Sequence, residues 1–233
     1  MANTVLSVQR NELKYIMSYS DALALKKRLA CVLTADTYSQ SGPYRVKSLY
    51  FDSLNNLDYN AKLAGENSRK KIRLRIYDED ASVIKLEWKA KEGSFQQKSS
   101  LTISRDDSYA LMKGNYQVLL QYNVPQAARF YAAMVLGCYV PVVLIEYKRE
   151  AFIHAQYNTL ITFDTYIKSS ELCLDLFQRD LSWVPVIDGV VVLEIKYNEK
   201  LLGFISQSLK GFHLVNCSVS KYCMNRYLMQ EYI

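Results

Sequence analysis

The stretch Val83–Lys91, VIKLEWKAK, alternates apolar and charged residues, and its interpretation decides the fold. Successive side chains of a β-strand point to opposite faces. One face of this predicted strand is therefore apolar and packs on a core. The other face carries Lys85, Glu87, Lys89 and Lys91. Such a charged face meets water in most half-exposed strands. The interpretation that it binds a charged ligand therefore needs support from the rest of the sequence.

The composition indicates a globular protein with a moderate excess of positive charge. The chain has 233 residues, of which half are hydrophobic, and its formal net charge is +6. The 19 tyrosines suit strands that have one solvated side. The five cysteines include no Cys-x-x-Cys spacing, which argues against a zinc site or a disulfide framework and predicts a reducing, cytoplasmic setting.

The sequence predicts no membrane-spanning segment and no signal peptide. The longest uncharged run, residues 130–145, is too short to span a bilayer, and Gly137 and Pro141 interrupt it. The N-terminal residues lack the apolar region of a signal peptide. The sequence leaves open whether the partner of this chain is a membrane protein.

Charged faces recur on several other predicted strands, and no βαβ rhythm, repeat or linker is present. We therefore predict an α+β protein with an antiparallel sheet, in a single domain over residues 1–233. Helices are predicted at Asp21–Leu33, Asn55–Leu63, most of Asp106–Gly137, Lys200–Lys210 and Lys221–Tyr232. The predicted strands with a charged face are Thr4–Ser18, Arg69–Asp78, Ser94–Ser104, Val140–Phe152 and Gly189–Asn198. Two further strands are predicted at Tyr44–Asp52 and Thr159–Ile167, which gives about eight with Val83–Lys91.

Two arrangements of these charged faces are possible. A flat sheet would spread the charges over open solvent, whereas a sheet closed into a barrel could point them inward, with helices covering its apolar outside. Inward cations repel one another unless water or a polyanion lies between them. The inward set would be Arg10, Lys14, Arg73, Arg75, Lys85, Lys89, Lys91, Lys98, Arg149 and Lys196, offset by Glu12, Glu87 and Glu194. Such a lining predicts a bound chain of phosphates.

Eight short motifs carry a resemblance to a known family. They are NELKY (11–15), SLYFD (48–52), KIRLRIY (71–77), LEWKAK (86–91), IEYKREAF (145–152), ITFDT (161–165), VLEIKY (192–197) and SVSKY (218–222). In this order they resemble the VTC-type polyphosphate polymerase domains. These belong to the triphosphate tunnel metalloenzymes, which also include the CYTH phosphatases and adenylyl cyclases.

The resemblance implies an eight-stranded antiparallel β tunnel with peripheral helices, in which basic residues hold ATP or another nucleoside triphosphate and the growing polyphosphate. It implies a divalent metal, Mn²⁺ or Mg²⁺, held by Glu194, with Glu12 and Glu87 either binding metal or orienting lysines. Residues in the catalytic positions would be Lys14, Arg73, Arg75, Lys89, Arg149 and Lys221. Substrate-binding positions would be Lys98, Tyr147, Ser220, Lys196 and Arg10. Lys85 and Lys91 are expected at a tunnel mouth.

The residue types fit phosphate chemistry on their own. Arginine offers a planar fork for two phosphate oxygens and lysine a mobile point charge. Mg²⁺ or Mn²⁺ takes one or two carboxylates and fills its remaining positions with phosphate oxygens and water. Phosphoryl transfer depends on positioning and charge neutralisation, so the lack of a catalytic triad does not exclude an enzyme.

Two positions depart from the family pattern. Leu160 and Ser218 stand where the family has basic residues. Each missing cation would weaken phosphate binding by about 1.5–3 kcal/mol. Lys168, Arg69 and Lys70 are candidates to compensate. The fold prediction is unaffected by these losses, whereas polymerase activity depends on them.

Three functions therefore stay open. The first is a metal-dependent polyphosphate polymerase that transfers the γ-phosphate of ATP to a polyphosphate end. The second is a tunnel hydrolase of triphosphate or nucleoside triphosphates, which the Arg10-Asn11-Glu12-Leu13-Lys14 opening disfavours because Arg10 replaces the first glutamate of Glu-x-Glu-x-Lys. The third is a polyanion-binding module without catalysis. Nucleic-acid binding is excluded because no basic platform interleaved with aromatic residues is present.

Overall fold

A computed structural model describes residues 5–7, 11–93, 95–217 and 220–231. The strands are β1 (Val5–Ser7), β2 (Asn11–Ser18), β3 (Thr34–Ala35), β4 (Tyr44–Ser53), β5 (Ser68–Ile76), β6 (Val83–Glu92), β7 (Phe95–Ser104), β8 (Tyr139–His154), β9 (Thr159–Ser170), β10 (Val184–Pro185), β11 (Val190–Tyr197) and β12 (Val215–Asn216). The helices are α1 (Tyr19–Ala30), α2 (Leu57–Leu63), α3 (Arg105–Met112), α4 (Pro125–Leu136), α5 (Gly203–Leu209) and α6 (Lys221–Glu231), with 3₁₀ turns at Tyr116–Gln121 and Gln156–Asn158.

The strands form one antiparallel sheet, which confirms the predicted α+β fold. Its order is β1-β7-β6-β5-β4-β8-β9-β11-β2-β12, with β10 beside β9 and β3 beside β8. Eight of these strands have eight or more residues and correspond to the predicted eight-stranded wall. The other four have two or three residues each.

The sheet curls strongly but is not closed as a barrel, so the predicted closure is corrected. Within the described residues, the ladder of hydrogen bonds ends at β1 on one side and at β12 on the other. Ser7 of β1 and Asn11 of β2 are only four residues apart, and four residues span at most about 14 Å. The chain itself thus holds the two ends of the sheet near each other. We call the inner side of this curved sheet the lumen.

Helices cover the apolar outside of the sheet, as predicted. Ile84, Leu86 and Trp88 of β6 are buried in a cluster that includes residues of α3 and α4. A second cluster joins β2, β9 and β11 to α1 and α5 through Phe163, Leu193 and other buried side chains. Burial of such aliphatic and aromatic groups is the main favourable term in folding. It also fixes which face of every strand points inward, since the two faces alternate.

Helix starts follow local capping chemistry. The Ser18 hydroxyl accepts a hydrogen bond from the Asp21 backbone N–H (3.0 Å), so α1 begins at Tyr19, two residues before the predicted start at Asp21. Ser104 caps α3 in the same way through Asp107 (3.1 Å). A side-chain acceptor at this position satisfies a backbone donor that the helix leaves unpaired.

Helix α6 is the exception among the helices, because it packs at one end of the lumen. Its Tyr222 ring stacks on Tyr50 at 5.3 Å between centroids, and the Tyr222 hydroxyl donates to the Asp52 carboxylate. Tyr50 and Asp52 belong to the inner face of β4 by alternation. A C-terminal helix therefore occupies the end of the lumen formed by this part of β4.

Candidate functional site

Strand register brings charged residues together on the inner face of β5, β6 and β7. Arg73 lies opposite Glu87, and Lys71 opposite Lys89, in the β5–β6 pair. Lys98 of β7 lies opposite Lys89 on its other side. Side chains of directly opposed residues on one face are neighbours. The charged face of VIKLEWKAK thus adjoins cations from both neighbouring strands.

Glu87 is the centre of the first group, which we call the Glu87 cluster (Arg73, Arg75, Glu87 and Lys98). Its Oε2 accepts from Arg73 Nε (2.9 Å) and lies 3.6 Å from Arg75 Nε, while its Oε1 lies 2.6 Å from Lys98 Nζ. Burial alone would raise the pKa of Glu87, but the three cations outweigh it and hold the pKa well below its usual value. Glu87 therefore stays ionised, with both oxygens engaged.

The Arg73 guanidinium is fixed by a second contact. Its Nη1 donates to the Tyr50 hydroxyl (2.7 Å). Burial raises the pKa of Tyr50, yet Arg73, Arg75 and Lys71 outweigh it and lower the pKa overall. Among the described residues, the buried Nε of Arg75 has no hydrogen-bond acceptor. An unpaired donor of this kind is available to an anionic ligand.

The second group is the Glu12–Glu194 cluster (Glu12, Lys14, Glu194 and Lys196), on β2 and β11. Register places Glu194 opposite Lys14 and Lys196 opposite Glu12. Lys196 Nζ lies 2.8 Å from a Glu194 oxygen and 3.6 Å from Glu12 Oε1. Lys14 Nζ lies 3.4 Å from Glu12 Oε1 and 3.7 Å from Glu194 Oε1. Two carboxylates thus share two lysines.

Glu12 is held ionised in this cluster. Burial raises its pKa, but Lys14, Lys196 and Lys89 outweigh burial and lower the pKa to about 2. Burial lowers the pKa of Lys14, with Glu12 acting in the opposite direction. Glu12 Oε1 is buried and accepts no hydrogen bond from the described residues. This carboxylate oxygen has an unused coordination position.

Lys89 connects the two clusters across the lumen. Its pKa is well below the usual value, first because of repulsion from Lys196, then because of burial, Arg73 and Lys14, and Glu12 opposes the shift. Arg73 lies on the adjacent strand β5, but Lys196, Glu12 and Lys14 lie on β11 and β2, which are far from β6 in the sheet order, so the curl of the sheet brings them to Lys89. The Lys89 side chain is nevertheless solvent-accessible, as expected for a group that points into an open lumen.

A third group, the Asp164 cluster (Tyr147, Arg149, Asp164 and Lys221), adjoins the Glu12–Glu194 cluster. Arg149 binds Asp164 with two hydrogen bonds, of 2.7 and 2.8 Å, and its Nη2 lies 4.0 Å from Glu194. Lys221 Nζ lies 2.6 Å from Asp164. Both cations lie over the Tyr147 ring, at 5.2 and 4.9 Å from its centroid. Burial would raise the Asp164 pKa, but Lys221 and Arg149 lower it overall.

The sequence analysis missed two residues of this site. Asp164 was within the quoted ITFDT motif, and its alternation with Thr162 and Leu160 places it on the inner face of β9, so the signal was present. Lys71 was on the charged face of its strand, but it was not selected. Burial lowers the pKa of Lys71, and its Nζ lies 5.7 Å from the Tyr222 ring centroid.

The structure places most of the predicted site residues around this lumen. Those brought together are Glu12, Lys14, Arg73, Arg75, Glu87, Lys89, Lys98, Tyr147, Arg149, Glu194, Lys196 and Lys221. Ser220 contacts Lys71 Nζ and accepts weakly from the Cys223 backbone N–H (3.4 Å), so it lies at the start of α6. Arg10 and Ser218 lie outside the described residues.

Two of the three residues expected to compensate for Leu160 and Ser218 point elsewhere. Lys168 pairs with Glu146 (2.9 Å) and lies over Trp183, in the outer apolar cluster. Lys70 lies over the rings of Trp88 and Tyr139, also in that cluster. That expectation is wrong for both. Alternation with Lys71 puts Lys70 on the outer face, and the register shift in the β8–β9 pair, where Glu146 opposes Lys168 but Lys148 opposes Thr165, puts Lys168 there. Arg69 has the inner parity and opposes Lys91.

The carboxylates of the Glu12–Glu194 cluster fit a divalent metal. The part of the chain that the structure describes contains no group of three or more His, Cys, Asp or Glu side chains suited to hold a metal alone. Mg²⁺ and Mn²⁺ do not need one, since one or two carboxylates with substrate phosphates suffice. Glu12 Oε1 has no hydrogen-bond donor, whereas both oxygens of Glu87 are engaged. Glu12 and Glu194 are therefore better placed than Glu87.

No helix among the described residues has the length and apolar character needed to cross a membrane.

Comparisons with known proteins agree with this geometry. The family model of the VTC domain matches residues 9–230. No curated protein sequence matches the chain. A solved structure from Hippeastrum, described as an adenylyl cyclase with a dominant triphosphatase activity, superposes with a TM-score of 0.56 at 14% identity, covering 93% of this chain and 94% of that one. An adenylate cyclase-like structure from Vibrio parahaemolyticus gives 0.53 at 13% identity, covering 95% and 99%. At such identities the likeness shows the fold alone.

Proposed function

The chain belongs to the VTC domain family, and on that premise we propose that it is a metal-dependent polyphosphate polymerase. It transfers the γ-phosphate of ATP to the end of a polyphosphate chain held in the lumen. The enzyme acts in the cytoplasm, and residues 1–233 form its single catalytic domain.

One observation carries this proposal, namely the charge surplus of the lumen. In the Glu87, Glu12–Glu194 and Asp164 clusters, together with Lys71 and Lys89, nine cations meet four carboxylates. The cations are Lys14, Lys71, Arg73, Arg75, Lys89, Lys98, Arg149, Lys196 and Lys221, and the carboxylates are Glu12, Glu87, Asp164 and Glu194. Like charges this close raise the free energy of the empty site, and a polyanion lowers it. A row of phosphates has the shape and charge that this lining requires.

Each cluster has a distinct part in the proposed reaction. Arg73 and Arg75, oriented by Glu87, present guanidinium forks to the phosphate oxygens of the donor. Lys89 neutralises the charge that spreads over the transferred phosphoryl group. Arg149 and Lys221, oriented by Asp164, hold the neighbouring phosphates. The contacts with Glu87 and Asp164 limit the motion of these long side chains, so less entropy is lost when phosphate binds.

Glu12 and Glu194 would hold Mn²⁺ or Mg²⁺ in the proposed enzyme. A metal held there would supply positive charge that offsets the negative charge of the phosphates. Lys14 and Lys196 keep Glu12 ionised, and both lie beside Glu194. They also bind the phosphates that bring the metal in.

The proposal is tested by incubating the purified protein with ATP and Mn²⁺ and resolving the products on a gel. Polymerase activity predicts long polyphosphate that an exopolyphosphatase degrades. Orthophosphate as the only product would indicate a tunnel hydrolase. The absence of turnover together with retained polyphosphate binding would indicate a binding module, and both results would overturn the proposal.

A further inference from the structure

Three tyrosines form an aromatic group beside the lumen. Tyr38 and Tyr77 stack with 5.7 Å between ring centroids and an interplanar angle of 11°. Tyr44 is tilted against both rings, at centroid distances of 5.6 and 6.0 Å. These residues come from the loop before β4, the start of β4 and the position after β5. We call them the tyrosine platform.

The platform adjoins the phosphate-binding cations. Tyr44 lies directly opposite Arg149 in the β4–β8 pair. Tyr77 follows Arg75 by two residues and has the same strand parity, and two residues of a strand span about 6.6 Å. The tyrosines therefore lie at the mouth of the lumen opposite to the end where α6 packs, because β4 runs from Tyr44 at this mouth to Asp52 beside Tyr222.

Packing in a core does not account for these rings. Tyr38 is 64% exposed and Tyr77 is 40% exposed, and neither belongs to the buried clusters. Tyr44 is half-buried, and its hydroxyl reaches Asp36 at 3.4 Å, which holds it behind the other two rings. The result is a pair of open aromatic faces supported from behind, next to a basic lumen.

We propose that Tyr38 and Tyr77 form a stacking surface for the nucleobase of the triphosphate donor, whose phosphates enter the lumen toward Arg75 and Arg149. The inference rests on the proposed function, because it assigns the donor's base to the mouth of the same site. The two-residue spacing between Arg75 and Tyr77, about 6.6 Å, leaves room for the ribose between the base and the phosphates. Stacking accepts any base, so the site selects nucleotides over inorganic triphosphate without reading base identity.

The test compares two ligands that differ only in the nucleoside. Calorimetry measures the binding of a non-hydrolysable ATP analogue and of tripolyphosphate to the full chain and to the Tyr77→Ala and Tyr38→Ala variants. Loss of base stacking should lower the affinity for the ATP analogue roughly tenfold. The affinity for tripolyphosphate should stay within about twofold of the wild-type value. Tyr77→Phe, which keeps the ring, should restore analogue binding. Tyr19→Ala removes an exposed tyrosine of α1 and should change the affinity for neither ligand.

A direct signal accompanies the affinities. Protons H2 and H8 of the adenine should shift upfield in NMR spectra when the base lies over a tyrosine ring, and the shift should shrink in Tyr77→Ala. Equal losses for both ligands, or no loss for the analogue, would overturn the platform while leaving the polymerase proposal intact. A wild-type chain that binds neither ligand would instead refute the proposed function, and the platform with it.

Discussion

The Glu87 cluster and the Glu12–Glu194 cluster both pair glutamate with basic side chains, but in different proportions and arrangements. In the Glu87 cluster one carboxylate accepts contacts from three cations, and both of its oxygens are engaged. In the Glu12–Glu194 cluster two carboxylates share two lysines, mostly at 3.4–3.7 Å, and Glu12 Oε1 lacks a hydrogen-bond donor.

This difference separates two tasks that the sequence alone could not separate. A carboxylate saturated by arginines orients them and stays ionised, but it has no position left for a metal. Paired carboxylates whose contacts with Lys14 are 3.4 and 3.7 Å long can exchange this lysine for a divalent ion and phosphate oxygens. The comparison therefore supports the proposal that the Glu87 cluster orients phosphate and the Glu12–Glu194 cluster binds the metal.

The largest effect is expected from Glu87→Gln. Removal of this charge leaves Arg73 and Arg75 buried without a counterion, and breaking a buried pair in this way costs about 3–5 kcal/mol. We expect the lower part of that range because the Lys98 partner is half exposed. Urea denaturation measures the loss, and added tripolyphosphate should recover much of it by replacing the missing anion.

The control for this variant is Glu150→Gln. Glu150 pairs with Lys26 at 2.7 Å on the outside of the sheet. Glu150→Gln should lower the free energy of unfolding by about 1 kcal/mol or less. Added tripolyphosphate should not restore this loss. If Glu87→Gln and Glu150→Gln lose the same stability, Glu87 does not compensate the lumen arginines.

The next effect in size concerns Glu194→Gln. Loss of a metal ligand should lower Mn²⁺-dependent turnover by at least about 100-fold, since even supporting groups around a metal cost 10–100-fold. Tripolyphosphate binding without metal should be unchanged or tighter because a negative charge has gone. Turnover is measured across a Mn²⁺ titration, with Glu146→Gln as control, since Glu146 pairs with Lys168 on the outer face. Normal turnover of Glu194→Gln at low Mn²⁺ would remove Glu194 from the metal site.

How much of the fold and of the site could be predicted from the sequence depends on how far apart in the chain the interacting residues lie. Strand alternation is local, so the pattern of VIKLEWKAK correctly placed Trp88 on the apolar outer face and Lys89 on the charged inner face. The eight long strands were predicted for the same reason. Sheet curl is not local, and the open ladder between β1 and β12 depends on contacts that no motif contains. Which cations contact Glu87 and which contact Glu12 likewise depends on side-chain positions around the whole lumen.

A smaller effect is expected from Lys89→Ala. This lysine faces both clusters, so its charge should matter to a bound polyanion. Affinity for tripolyphosphate should fall by about 1.5–3 kcal/mol, the range for a hydrogen bond to a charged group. The melting temperature of the free protein should stay constant or rise, because repulsion from Lys196 is relieved. Calorimetry at fixed ionic strength measures both quantities.

Lys27→Ala provides the matched control. Lys27 is an exposed lysine of α1 on the outside of the sheet. Its removal should leave affinity and melting temperature nearly unchanged. If Lys89→Ala behaves like Lys27→Ala, the charges of VIKLEWKAK meet only solvent.

The smallest effect is a proton uptake that comes from the same lysine. The pKa of Lys89 in the free protein lies well below 10.5, chiefly because of Lys196. The unfolded chain therefore binds more protons than the folded chain between these two pKa values, and Lys89 makes stability rise with pH across that window. A bound polyanion raises the pKa of Lys89, so ligand binding above the free pKa must take up a proton.

Calorimetry in two buffers of different ionisation enthalpy measures this uptake. Both proteins are measured with the same ligand at the same pH, so titration of the phosphates themselves contributes to both and cancels in their difference. The wild-type chain should take up more protons than Lys89→Arg, by up to one proton per ligand, because arginine stays charged throughout. Lys14 and Lys71 also have lowered pKa values, so the difference between the two proteins, and not the total, isolates Lys89. Equal uptake by both would show that Lys89 does not titrate between the two clusters, and the electrostatic link across the lumen would have to run through Lys14 instead.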